Sequence, residues 1–150
     1  MRASWLSTCE LIEPLALRTA GVRALTLDSA RPAPMLDFVA LDGGYCRQDV
    51  AVLGATTPEL DVLLTRFAEE HRHAEDEVRY VQDGTGVFDV RGPDDAWMRI
   101  EVRAGDLIVI PAFRWHRFFL GMARSIRCIR MFRDPAGWIA EPREHHASVA

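Results

Sequence analysis

"DEVRYVQDGTGVFDVRGPDDAWMRIEVRAGDLIVIP" spans residues 76–111, and its reading decides the fold class. Apolar residues recur every second position, as in Met98, Ile100 and Val102, the period of a strand with one buried face. Turn signals interrupt the run at "DGTG" (83–86), "GPDD" (92–95) and "RAGD" (103–106), and Pro111 stops it. The stretch therefore predicts four short antiparallel strands, with a hairpin-like turn at "DGTG". Downstream, "RFFLG" (117–121) and "SIRCIRMF" (125–132) extend the series. Many short strands with evenly spaced turns predict a closed or nearly closed β structure, a barrel or a double-sheet jelly roll.

Upstream the pattern is more varied. "VRALTLD" (22–28), "APMLDFVAL" (33–41) and "YCRQDVAVL" (45–53) read as short strands. "TTPELDVLLTRFAEE" (56–70) predicts a helix: Thr57 as its cap, Pro58 in its first turn, and Leu60, Leu63, Leu64 and Phe67 as an i, i+3, i+4, i+7 stripe. The fold class expected is mainly β with a few short helices. The tail, 141–150, is polar and expected to fray. No repeat or linker divides the 150 residues, so one domain over 1–150 is expected.

Composition excludes several functions. The net charge of -4 and pI near 5.7 offer no basic surface for nucleic acid. All 18 basic residues are arginine, which rules out Schiff-base chemistry and lysine-anchored pyridoxal cofactors. Cys9, Cys46 and Cys128 form no CxxC pair, so reduced thiols in a cytoplasmic protein are expected. Glu10, Glu13 and Pro14 break the first apolar run; no leader and no membrane partner are expected.

The chemistry-bearing residues sit just before the deciding stretch, in "EEHRHAEDEVRYVQDG" (69–84). His71, His73, Glu77 and Arg79 share one parity, so on extended backbone they face one side. Two imidazoles and a carboxylate suit iron, nickel, manganese or zinc. The same residues also fit an exposed, solvated helix-to-strand junction. His116, in "GDLIVIPAFRWHRF", can supply a further ligand if a barrel brings its strand beside the first, or simply pack among aromatics. His145 and His146 lie in the polar tail and are given no role. Glu69, Glu70, Glu75 and Asp83 read as solvated framing, and Cys128 as a small core residue.

The spacing HxH, three residues, Glu, six residues, Gly (His71, His73, Glu77, Gly84) resembles the first cupin motif. Gly105, five residues, Pro111, then His116 resembles the second, with Phe113 where Gly is usual and Leu120 where Asn is usual. The closer resemblance is to the acireductone dioxygenases, carried by residues 69–118 and by "MFRDPAGWIAE" (131–141), and more loosely by 17–28 and 44–71.

The resemblance implies a cupin fold, a double-stranded β-helix or jelly-roll barrel, with a metal-binding core over about 67–133. His71, His73, Glu77 and His116 would ligate one Fe2+ or Ni2+ per chain. Arg79 would bind substrate and Phe67 would stand beside it. The implied reaction belongs to methionine salvage: acireductone (1,2-dihydroxy-3-keto-5-methylthiopentene) and O2 give formate and 4-methylthio-2-oxobutanoate, with carbon monoxide released in the nickel form. A small molecule and O2 are the partners implied, for a monomer or small homo-oligomer. Arg72, Phe113 and Trp115 depart from the family pattern and leave open a related oxygenase with another chelating substrate. A non-catalytic metal- or sugar-binding cupin is the remaining alternative. Trp138 is expected either to cap the barrel or to line its pocket.

Overall fold

The chain's alternating apolar runs become strands, and the turns between them set the order in which they pair. The structure, a computed structural model, describes residues 1–144. In chain order these form β1 (Arg2–Trp5), α1 (Pro14–Thr19), β2 (Arg23–Thr26), α2 (Ala33–Gly43), β3 (Arg47–Leu53), α3 (Leu60–Ala68) and β4 (His71–Arg72). There follow β5 (Glu77–Arg91), β6 (Trp97–Arg103), β7 (Asp106–Ile110), β8 (His116–Leu120), β9 (Ile126–Phe132) and β10 (Glu141–Pro142). Every strand pairing is antiparallel.

The predicted turn at "DGTG" is not a turn. Residues 77–91 form one long strand, and its two halves belong to different sheets. The first half pairs with β7 (Glu77↔Ile110) and β9 (Arg79↔Arg130). The second half pairs with β6 (Phe88↔Ile100) and β8 (Val90↔His116). Between them the register slips at Val81/Asp83, a bulge that bends the strand from one sheet into the other. Gly84 makes the bend possible. Its φ is +81°, and a Cβ there would stand 2.1 Å from the Ser125 carbonyl oxygen.

The bulge also exchanges the faces of the strand. Before it, Val78 and Tyr80 pack outward under α2 with Leu36, Val39 and Leu107. After it, Phe88 and Val90 lie in the inner core with Met98, Ile100 and Ile108. Inward-facing residues are therefore odd-numbered up to Val81 and even-numbered beyond it, as one inserted residue requires.

Three further expectations are corrected. Residues 33–43 form a helix, not a strand: Leu36, Val39, Ala40 and Gly43 follow helical spacing, and Gly44 (φ +67°) ends it in the left-handed conformation. Burying Leu36 and Val39 stabilises this packing by about 1.5–3 kcal/mol each. Thr57 does not cap α3. Its hydroxyl accepts the Gly54 N–H at 2.9 Å and closes the preceding turn, and the helix starts at Leu60 with its apolar stripe half-buried. The tail does not fray where it is described: β10 pairs with β4 (Glu141↔Arg72, Pro142↔His71). His145 and His146 lie outside the described residues. Among the described residues no helix is long and apolar enough to cross a membrane.

Candidate metal centre

β4 and the start of β5 carry the predicted parity to the barrel interior, although the chain bends at Ala74 and Glu75 between them. β8 lies against β4 with His71 and His116 as direct partners, which is how a histidine 45 positions downstream joins the pair. His71, His73, Glu77 and His116 are all buried, Glu77 to 4% exposure and His116 to 2%. Their ligand atoms lie within 4.8 Å of one another.

The imidazoles are oriented by main chain. Nδ1 of His71 bonds the Glu69 carbonyl at 2.8 Å, Nδ1 of His116 the Arg114 carbonyl at 2.8 Å, and Nδ1 of His73 the Ile139 carbonyl at 3.3 Å. A carbonyl only accepts, so each Nδ1 must donate, which leaves each Nε2 as the donor atom facing the centre. Glu77 Oε2 lies 2.8 Å from His116 Nε2 and 3.3 Å from His73 Nε2, while Oε1 accepts from Arg79 Nε at 2.8 Å.

With Nδ1 already protonated, the His116–Glu77 contact needs a second proton on the ring or a cation in its place. Burial pushes His116 down, but the Glu77 charge and hydrogen bond and the Arg114 carbonyl outweigh it, so its pKa is raised. Burial pushes Glu77 up, yet Arg79 and His116 hold its carboxyl well below the usual range. His71 is depressed, by burial first and by His116 second. Three neutral imidazole nitrogens and one ionised carboxylate are the donor set of a divalent transition metal, and a metal would replace the proton held between His116 and Glu77.

The centre opens into a cavity of about 470 Å³ with Phe67, Phe88, Phe118, Leu53 and Cys128 on its apolar side. Arg79 also lines it, its guanidinium carbon 5.0 Å from the Trp138 ring. Phe67 meets Phe118 edge-on at 6.4 Å. A larger depression, of about 700 Å³, lies between Glu59–Val62 and Ala123–Ser125, but it is shallow and gathers no histidine.

Arg72, Phe113 and Trp115 do not reach this cavity. Arg72 turns outward to Glu141, at 2.7 and 3.0 Å, and lies 4.5 Å from the Trp115 ring. Phe113 keeps a left-handed φ of +61°, the conformation for which glycine is suited, and its N–H donates to the His73 carbonyl at 2.7 Å. The turn before His116 thus survives the departure from the motif.

Of the two places open to Trp138 it takes the pocket, and one pocket residue, Arg130, is new relative to the sequence reading. Trp138 lines the cavity, stacked on His73 at 5.9 Å. Arg130 lines it beside Ile126 and Cys128 and is held by Asp49 at 2.7 Å. A charged residue on the inward parity of "IRCIRMF" was the available signal for it. Glu70 is not solvated framing: it is 8% exposed and accepts from Arg91 and Arg143, each at 2.8 Å. Glu75 accepts the Arg133 and Asp134 N–H groups, and Asp76 accepts from Tyr45 and from the Ala112 N–H; both brace loops and neither orients an imidazole.

Comparison with known proteins agrees with this geometry. The ARD/ARD' family profile matches residues 23–140. Acireductone dioxygenase of Sulfurihydrogenibium sp. is 48% identical over 106 residues, covering 71% of this chain and 59% of that protein. The enzyme of Heterostelium pallidum is 40% identical over 114 residues, covering 72% and 78%. Among solved structures, acireductone dioxygenase from Bacillus anthracis with a cadmium ion in its active centre superposes with a TM-score of 0.87 at 27% identity, covering 93% of this chain and 96% of that one. The fold, the four-residue centre and these similarities together place the chain in the ARD/ARD' family, that of the acireductone dioxygenases.

Proposed function

We propose that the protein is a metal-dependent dioxygenase of the cytoplasm that cleaves acireductone with O2 to formate and 4-methylthio-2-oxobutanoate. His71, His73, Glu77 and His116 would hold one Fe2+ or Ni2+, the nickel form releasing carbon monoxide. The observation that carries the reading is the convergence of three Nε2 atoms and one carboxylate oxygen at the base of a cavity that also holds a guanidinium.

When bound, the metal supplies Lewis acidity and a template for a chelating enediolate. The chain's own residues do the rest. Arg79 uses Nε on Glu77 and keeps its remaining N–H donors for substrate; a planar fork of this kind matches two enediolate oxygens, which a lysine would not. Glu77, held ionised by Arg79, stays available as an anionic ligand. Phe67, Phe88 and Phe118 receive the methylthio end and keep water from the reacting carbons. Arg72, Phe113 and Trp115, the residues that left another chelating substrate open, lie off the cavity.

The test is product analysis. Fe2+-loaded protein mixed anaerobically with acireductone and then given O2 is expected to form one formate and one α-keto acid per substrate consumed. Formation of these products no faster than in uncatalysed oxidation would defeat the reading.

A further inference from the structure

Residues 138–143 form a strap along one side of the metal cavity; Trp138 meets Phe132 edge-on at 6.1 Å, and beyond it the strap has little apolar hold of its own. Trp138 stacks on His73, and the Ile139 carbonyl accepts the His73 Nδ1–H. Beyond them Ile139 is 75% exposed, and Ala140 and Glu141 are exposed. β10 is only two residues long, so its ladder alone gives a marginal hold.

What fastens the strap lies outside the barrel. Arg72, between the two histidine ligands, grips both carboxylate oxygens of Glu141. Two residues on, the Arg143 N–H donates to the Glu70 carbonyl at 2.9 Å, and its guanidinium reaches Glu70 at 2.8 Å and both oxygens of Asp95 at 3.0 Å. Both guanidiniums lie over the Trp115 ring, at 4.5 and 5.4 Å. Glu70 is itself gripped by Arg91, so the latch is anchored in β5.

We propose that Arg72 and Arg143 are positioning residues: they latch the 138–143 strap against β4, so that Trp138 and Ile139 hold His73 in its ligating orientation and keep the cavity walled. The proposal rests on the reading of His73 as a metal ligand. It gives Arg72 a task on the outer face of β4.

Two readouts test it on the full chain, with circular dichroism confirming the barrel in each variant. One is the rate at which a chelator strips Ni2+ from loaded protein. The other is hydrogen exchange of the Arg143 amide in metal-free protein. Arg72→Ala and Arg72→Glu are expected to speed Ni2+ loss roughly 10-fold, the scale for groups that orient a ligand, and to speed amide exchange. The double variant Arg72→Glu with Glu141→Arg is expected to recover protection in both. Unchanged exchange in the single variants overturns the latch, as does absence of recovery in the double one. Faster exchange with unchanged Ni2+ loss overturns the link to His73. Failure of the wild-type protein to take up Ni2+ would instead remove the metal reading, while hydrogen exchange would still decide the latch.

Discussion

Two buried carboxylates lie on β5, Glu77 at 4% exposure and Asp89 at 0%, and their surroundings are opposite in kind. Asp89 is closed. Arg99 meets its two oxygens at 2.8 and 2.9 Å, Arg117 adds a contact at 3.0 Å, and both partners are permanent cations. Glu77 is left open. One oxygen is taken by Arg79, and the other is shared between two imidazoles that are neutral unless a proton or metal is supplied. The closed ion cluster ties neighbouring strands of one sheet together, whereas an open one binds what completes it. Both residues are odd-numbered, but the bulge at Val81/Asp83 turns Glu77 inward and Asp89 outward.

The comparison breaks most easily at Glu77. Glu77→Gln removes the anionic ligand and is expected to weaken Ni2+ or Fe2+ binding by more than about 100-fold, on the scale by which even ligand-orienting groups act. Metal content after gel filtration reads this out, and full retention of metal would mean that Glu77 is not a ligand. Asp89→Asn should do the reverse. It leaves two guanidiniums facing a neutral amide and is expected to cost about 3 kcal/mol in urea unfolding, the scale for breaking a buried pair, with metal stoichiometry unchanged.

A smaller effect sharpens the contrast through protons. The raised pKa of His116 means that its protonated form stabilises the metal-free protein fully below about pH 6.5, its ordinary value, and that this contribution is lost as pH rises through the raised value. Metal must displace that proton. Titration calorimetry near pH 7 in buffers of different ionisation enthalpy is therefore expected to show proton release on metal binding, and a buffer-independent heat would contradict it. The smallest change concerns Phe113. A left-handed non-glycine residue costs about 1–2 kcal/mol, and glycine returns part of this as chain entropy, about 0.5–1 kcal/mol. Phe113→Gly is expected to raise stability by up to about 1 kcal/mol with metal binding unaltered; a loss of stability would show that Phe113 is held by contacts worth more than the strain.

Much of this site was legible because local patterns survive folding. Parity on extended backbone placed His71, His73, Glu77 and Arg79 on one face, and motif spacing brought in His116. What was missed depended on contacts distant in sequence. "DGTG" reads as a turn because Gly84 and Gly86 permit one, and only the approach of Ser125 shows that the glycine serves a bulge. Residues 33–41 read as a strand because a short apolar run does not separate the two periods, although Gly44 marked a helix end. The outward course of Arg72 was set by Glu141, nearly 70 residues away.

The most direct measurement is the loss of acireductone absorbance when O2 is admitted to anaerobic, Fe2+-loaded protein, followed for the wild type, Asp89→Asn and Glu77→Gln. The open-and-closed account predicts rapid loss with the first two and the uncatalysed rate with the third. Equal rates for wild type and Glu77→Gln would contradict it.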